Sequence, residues 1–292
     1  MLHIPVMLTE ISEHLLPVLQ SHPSPRYLDG TLGRGGHLRH FLNSVPQLKA
    51  IAFDQDPEAI AYAQAEFSKE IAQGRLQLVH SNFASYQAEV HGEFDAGLVD
   101  LGVSSPQLDQ GRRGFSFIHD GPLDMRMNSQ AGETAAEVIN TYSEEDLNTI
   151  FKKYGELFKP YRVTRAVVHD RREKPFESTL QLAGLIERVD GWRKKGFHPA
   201  TQYFMALRLY VNQELQSVEQ GIPQILHGLK SKGRLSVLTF HSLEDRIVKY
   251  LFRDSSLGVP VNKKVIVPSE EEEQSNPRSR SAKLRTFERD GE

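Results

Sequence analysis

Asp29, Asp54 and Asp100 each close a short apolar run in the first hundred residues. Carboxylates at strand ends can accept hydrogen bonds from ribose hydroxyls or pair with an ammonium group. Between the first two lies the turn Gly30-Thr31-Leu32-Gly33-Arg34-Gly35-Gly36, whose glycines let the backbone approach a ligand with no Cβ in the way. Asp54 stands 21 residues beyond Gly33, the spacing at which an acid reaches both ribose hydroxyls of a bound nucleotide. A dinucleotide fingerprint places a pyrophosphate on the following helix, but this turn opens with an acid and reads D-x-x-x-G-x-G through Gly33 and Gly35. Asp29 would repel a pyrophosphate and suits the ammonium of a methionine moiety, which favours S-adenosylmethionine over NAD. Its alternative role is a turn-capping side chain. Phe83, after a third apolar run, suits either an adenine face or an ordinary core position.

These residues need a scaffold that gathers strand ends. Arg26–Asp29, Ala50–Asp54, Leu76–His80 and Phe94–Asp100 read as strands, with helices from His37 and across Pro57–Phe67 between them. Alternating strands and helices predict an α/β, doubly wound parallel sheet, which binds ligands at the carboxyl ends of its strands. A helix carrying Leu8, Ile11, Leu15 and Leu19 opens the chain, with Thr9 as its expected cap. The next strand, Arg234–Phe240, is separated from Asp100 by 133 residues, far more than a crossover requires. That interval reads as helical: Thr141–Tyr154 with Ser143 as N-cap, Tyr161–Arg171, Leu180–Val189, and a long amphipathic helix through Phe204, Leu207, Val211, Leu215 and Val218. A helical domain over 105–205 is therefore expected inside a sheet domain formed by 1–104 and 206–292. The acidic run Ser269–Ser275 is expected to be a disordered loop.

The 292 residues include no cysteine, which removes disulfides, thiolate metal sites and cysteine nucleophiles. Methylation of pyrimidine C5 normally needs such a nucleophile, so a methyl acceptor here should own a lone pair, as an exocyclic nitrogen does. No apolar run approaches the roughly 20 residues of a membrane span, and Met1 to Glu10 lack the pattern of a signal peptide, so no membrane association is expected. Nor is a metal expected. The net charge of −3 conceals an asymmetry: residues 1–104 carry −6, residues 151–208 carry +7, and the 276–289 tail holds five basic residues against Glu288. That pattern fits either a solvated surface or a footprint for RNA, with Arg171, Arg172, Lys174, Arg278, Arg280 and Arg285 as candidates. His241 follows a strand end and points toward the expected site. Glu244, Asp245 and Arg246 suggest a local ion-pair cluster, and Asp124 and Arg126 a pair. Met125 and Met127 suit packing. No residue stands out as a catalytic base.

Longer strings carry a family resemblance. His3–Leu8, Asp29–His37, Asp54–Pro57, Asp100–Asp109, Arg113–Phe117, Gly121–Met127, Phe240–Arg246 and Asn276–Ser281 together resemble the RsmH (MraW) family nearly end to end. The resemblance implies a Rossmann-like class I methyltransferase sheet with an inserted helical substrate-recognition domain. It also implies S-adenosylmethionine-dependent methylation of the N4 amine of a cytidine in the decoding centre of bacterial 16S rRNA, in the cytoplasm. The family's cofactor contacts fall on Gly35, Gly36, His37, Asp54, Phe83, Asp100 and Gln107; His37 and Gln107 come from the resemblance alone. The substrate would be the small-subunit rRNA or the assembled subunit, and a homodimer is compatible with the sequence. Methylation of another macromolecule, an NAD-dependent oxidoreductase and a non-catalytic RNA-binding assembly factor are the competing readings.

Overall fold

The computed structural model describes residues 5–191 and 197–291, so His3 and Ile4 of the first family string and the basic residues Arg193, Lys194 and Lys195 lie outside the described residues. Two compact units are present. One combines residues up to Gly102 with Leu215 onward; the other is Val103–Glu214.

The first unit runs α1 (Leu8–Ser21), β1 (Arg26–Asp29), α2 (Gly36–Ser44), β2 (Lys49–Asp54), α3 (Pro57–Glu66), α4 (Ser68–Ala72), β3 (Leu76–His80), α5 (Ala88–His91) and β4 (Phe94–Asp100). The second unit holds α6 (Ser105–Asp109), α7 (Ala135–Thr141), α8 (Glu144–Gly155), α9 (Tyr161–Asp170), α10 (Thr179–Asp190) and α11 (Ala200–Val211). The chain then returns through α12 (Glu214–His227), β5 (Leu229–Thr239), α13 (Ser242–Asp254), β6 (Gly258–Pro260), α14 (Glu270–Ser275) and β7 (Lys283–Arg289).

Among the described residues, seven strands form one sheet in the order β3-β2-β1-β4-β5-β7-β6. The first five are parallel, whereas β7 runs antiparallel to both β5 and β6. Alternate strand residues enter opposite cores, as a sheet covered on both faces requires. Tyr27, Ala50, Ala52, Ala96 and Leu98 join Ile11, Leu15, Leu38 and Phe41 on one face. Leu28, Ile51, Phe53, Val99, Leu235 and Val237 join Val218, Ile222, Val248 and Phe252 on the other. The second unit has its own core, in which Leu147, Ile150 and Phe151 of α8 meet Val163, Val167, Leu182, Tyr203 and Leu207.

Several sequence expectations change. Thr9 lies inside α1, and Met7 occupies its N-cap in the left-handed region at φ 52°. The Met7 N–H donates to Glu272 Oε1 at 2.7 Å, tying that turn to α14. The acidic run is thus a helix rather than a loop: the Ser269 hydroxyl accepts the Glu272 N–H, and four glutamates favour the positive end of the helix dipole. The amphipathic stretch through Phe204 and Val218 is two helices, α11 and α12, separated where Gln213 adopts φ 50°. Thr141 ends α7, and α8 starts anew behind its Ser143 cap.

Candidate functional site

The carboxyl ends of β1, β2 and β4 are laced together by the turn after β1. Gly30 N–H donates to the Leu98 carbonyl at 2.8 Å, and Leu32 N–H to that of Phe53 at 2.9 Å. Gly30 is tightly placed, since a Cβ there would stand 2.9 Å from Val99 Cγ2. The Thr31 hydroxyl accepts the Asp100 N–H at 2.6 Å, while Thr31 N–H donates to Asp29 Oδ1 at 3.2 Å. Asp54 takes the Gly33 N–H on one oxygen and the Asp56 N–H on the other, at 2.7 and 2.8 Å. Three carboxylates from three strands therefore share one edge; backbone N–H groups hold those of Asp29 and Asp54, whereas Asp100 is tied in through its own N–H.

Their electrostatics are uncompensated. Burial pushes Asp29 up to about 7, against the pull of the Thr31 N–H. Burial raises Asp54 to about 6, opposed by its two backbone donors. Asp100 is pushed up to about 8, first by burial and then by the charges of Asp29 and Glu244. Among the described residues no lysine or arginine lies within ion-pair distance of Asp29 or Asp100; the nearest basic atom to Asp100 is His37 Nδ1 at 3.9 Å. His37 is buried, with Nε2 3.0 Å from the Val6 carbonyl. A carbonyl only accepts, so Nε2 carries the hydrogen and Nδ1 faces Asp100.

The glycines at the start of α2 serve packing as well. Gly35 has φ 69°, and a Cβ would stand 2.6 Å from the Phe67 ring; at Gly36 it would stand 2.6 Å from Pro5. Asn82 Oδ1 caps the short turn at Phe83–Ser85, and its Nδ2 donates to Gln55 Oε1 and Ser217 Oγ. Phe83 is buried in the core beneath that turn, 2.7 Å from where a Cβ on Gly221 would be. Gln107 belongs to the second unit, where Ser104 and Gln107 form the capping box of α6. Gly35, Gly36, His37, Asp54, Phe83 and Asp100 thus lie in the sheet unit.

Beside β4, at the end of β5, His241 caps α13 and takes the Glu244 N–H on Nδ1 at 3.4 Å. Its buried Nε2 makes no hydrogen bond, although Glu244 Oε1 lies 3.1 Å away. Glu244 Oε2 accepts the Phe240 N–H at 2.9 Å. The anticipated ion-pair cluster is divided: Glu244 turns inward, and Asp245 pairs with Arg285 and Lys283 on β7. Sequence reasoning missed Thr31 and the electrostatic reach of Glu244. A hydroxyl beside the turn glycine was the available signal for Thr31; nothing local signalled Glu244. In the second unit Asp124 and Arg126 form a bidentate pair, and Met125 and Met127 are buried as expected. No group of three or more metal-ligating side chains occurs among the described residues.

A sheet of this order, with a reversed β7 and an acidic carboxyl edge, defines a Rossmann-like class I S-adenosylmethionine-dependent methyltransferase. Residues 1–290 match the MraW methylase family, and the chain belongs to it. Among its relatives is the ribosomal RNA small subunit methyltransferase H of Bdellovibrio bacteriovorus, 57% identical over 288 residues that span 98% of this chain and 88% of the relative. The protein of the same name from Crocosphaera subtropica is 46% identical, over 99% of this chain and 89% of the relative. That of Idiomarina loihiensis is 44% identical, over 97% and 95%. The chain is a methyltransferase enzyme, and S-adenosylmethionine is its cofactor. The donor set fits: raised, unpaired carboxylates favour a ligand bearing sulfonium and ammonium charges and disfavour a pyrophosphate. When bound, the cofactor supplies an electrophilic methyl group whose departure neutralises the sulfonium.

Proposed function

We propose that this protein methylates the exocyclic N4 amine of a cytidine in the decoding centre of 16S rRNA, in the cytoplasm. The observation that carries this reading is the near full-length similarity to small-subunit rRNA methyltransferases. In this reading Asp54 accepts the ribose hydroxyls, Asp29 receives the methionine ammonium, and Gly35, Gly36, His37, Phe83, Asp100 and Gln107 complete the cofactor contacts. The unit Val103–Glu214 recognises the substrate.

The chemistry suits the residues present. A cytosine amine is a weak nucleophile because its lone pair is delocalised into the ring, so the enzyme must hold it in line with the methyl group at about 3–3.5 Å. Acceptors around the nitrogen favour its pyramidal form. The carbonyls that follow β4, from Leu101, are the acceptors this edge offers. The methylated nitrogen sheds its proton readily, so a dedicated base is not required.

The test is methyl transfer to small-subunit particles and to naked rRNA lacking the modification, followed by mass spectrometry of the nucleosides. N4-methylcytidine is expected. Transfer to another atom, or none to either substrate, would overturn the reading.

A further inference from the structure

The surplus positive charge of the second unit is unevenly committed. Arg171 donates to the Ile139 carbonyl at 2.6 Å, Arg188 pairs with Asp170, and Arg208 pairs with Glu214. Arg165 lies 3.7 Å from Glu144. The corner between α8 and α9 differs. Residues 151–163 contain Lys152, Lys153, Lys159 and Arg162 against the single acid Glu156. All four cations are exposed, and among the described residues none is within ion-pair distance of a carboxylate. Two aromatic rings stand among them: Phe158 keeps 84% of its surface exposed and Tyr161 41%. Lys159 Nζ lies 5.5 Å from the Phe158 ring centroid and Lys152 Nζ 5.8 Å from that of Tyr161.

Packing does not require this arrangement. The chain reverses at Glu156, φ 50°, and the corner is anchored by its other apolar residues. Leu157 packs against the core of the unit, Pro160 is buried, and Gly155 fits so closely under α11 that a Cβ would stand 3.0 Å from the Gln202 carbonyl. Leu157 and Pro160 point inward, leaving Phe158 and Tyr161 on a fixed backbone facing solvent. Two exposed rings bordered by cations match what unpaired nucleotides need: faces for bases to stack on, and charge for the phosphates between them.

We propose that the α8–α9 corner is a binding site for single-stranded RNA, in which Phe158 and Tyr161 stack on unpaired bases while Lys152, Lys153, Lys159 and Arg162 contact the flanking phosphates. The site rests on the reading of the protein as an rRNA methyltransferase and adds where, and in which form, the RNA is held. Duplex RNA has its bases stacked internally and would gain only the phosphate contacts.

The experiment titrates the full-length protein with a fluorescein-labelled 15-nucleotide single-stranded oligouridine and with a duplex RNA of the same length, at several salt concentrations. Phe158→Ala with Tyr161→Ala should weaken single-strand binding about tenfold or more, leave the duplex nearly unchanged, and leave the thermal midpoint in place. Phe158→Trp should restore most of the loss. Lys159→Gln should weaken both RNAs and flatten the salt slope by about 0.7 on the single strand. Unchanged single-strand affinity and slope in these variants would overturn the proposal. So would variants that bind both RNAs normally yet lose affinity for small-subunit particles, because the partner of the corner would then be a protein. Methyl transfer to particles by the unsubstituted enzyme separates the two readings: if transfer occurs while the corner variants bind RNA normally, the activity stands and only this site is lost.

Discussion

Strand β4 carries one carboxylate toward each end, and the two are treated in opposite ways. Asp95, near the amino end, is fully buried. Both its oxygens lie 3.1 Å from Lys230 Nζ, one takes the Arg26 N–H at 2.7 Å, and His22 Nε2 lies 3.6 Å away. Asp100, at the carboxyl end, has its nearest basic atom at 3.9 Å and shares the local field with Asp29 and Glu244. Burying an unpaired carboxylate costs several kcal/mol, so the fold provides a cation at one end and omits it at the other. Burial does not distinguish the two acids. The missing lysine or arginine does, and the proposed partner of Asp100 is the cationic cofactor.

The largest test breaks each end in turn. Lys230→Ala should leave the buried Asp95 with only the Arg26 N–H and the more distant His22, costing about 3 kcal/mol of stability, toward the low end for such pairs because the ammonium is partly exposed. Asp100→Asn should do the reverse at pH 8.5, raising the urea midpoint of the ligand-free protein while weakening S-adenosylmethionine binding more than tenfold. A drop in midpoint for Asp100→Asn would mean that its carboxylate is already compensated. Asp54→Ala belongs between them. It removes the acceptor of the Gly33 and Asp56 N–H groups together with the proposed ribose acceptor, and should cost roughly 1.5–3 kcal/mol in cofactor affinity by calorimetry.

The contrast between the two ends also sets a pH dependence. Asp29, Asp54 and Asp100 titrate in the folded protein near 7, 6 and 8, well above their value of 3.8 in an unfolded chain. Between those limits the folded state holds more protons, so ligand-free stability is greatest below pH 4 as far as these groups act, and declines as pH rises through 6 to 8. A cationic ligand pulls their protons off. Cofactor binding at pH 6.5 should therefore release protons, and affinity should climb toward pH 8. Calorimetry in two buffers of different ionisation enthalpy measures the release; identical heats would show the acids already ionised.

How much of this could be read from the sequence follows the same division. The apolar runs ending in Asp29, Asp54 and Asp100 were legible because a buried parallel strand needs continuous hydrophobicity and its terminal acid stands out. The reversed β7, Lys283–Arg289, was not, since its pattern mixes Leu284 and Phe287 with charges that pair across strands, Arg285 to Asp245 and Arg234 to Glu288. That pairing also withdraws Arg285 from the set of candidate RNA contacts, as the bond to the Ile139 carbonyl does for Arg171. The acidic helix α14 looked like a solvated run because its tertiary partner, the Met7 N–H, lies 265 residues away. The break at Gln213 escaped notice because the helical period continues across it.

The smallest effect concerns whether the turn glycine belongs with the ligand or with the fold. On the sequence alone, a side chain at Gly35 should block the cofactor and spare the protein. In the structure Gly35 has φ 69°, and the added Cβ would meet Cε2 and Cζ of Phe67 at 2.6 Å. Phe67 is nearly fully buried, and the Arg39 guanidinium lies 4.0 Å over its ring, so the ring has little room to retreat. Gly74 supplies the control, with φ 66° and nothing within 4 Å of the place a Cβ would take. Gly74→Ala should cost about 1 kcal/mol from backbone strain alone. Gly35→Ala should cost about 1 kcal/mol more, from overpacking against Phe67. Equal urea midpoints would show that Phe67 yields. A stable Gly35→Ala that no longer binds S-adenosylmethionine would place this glycine with Asp29 and Asp100, among the residues proposed for the ligand, rather than with Asp95.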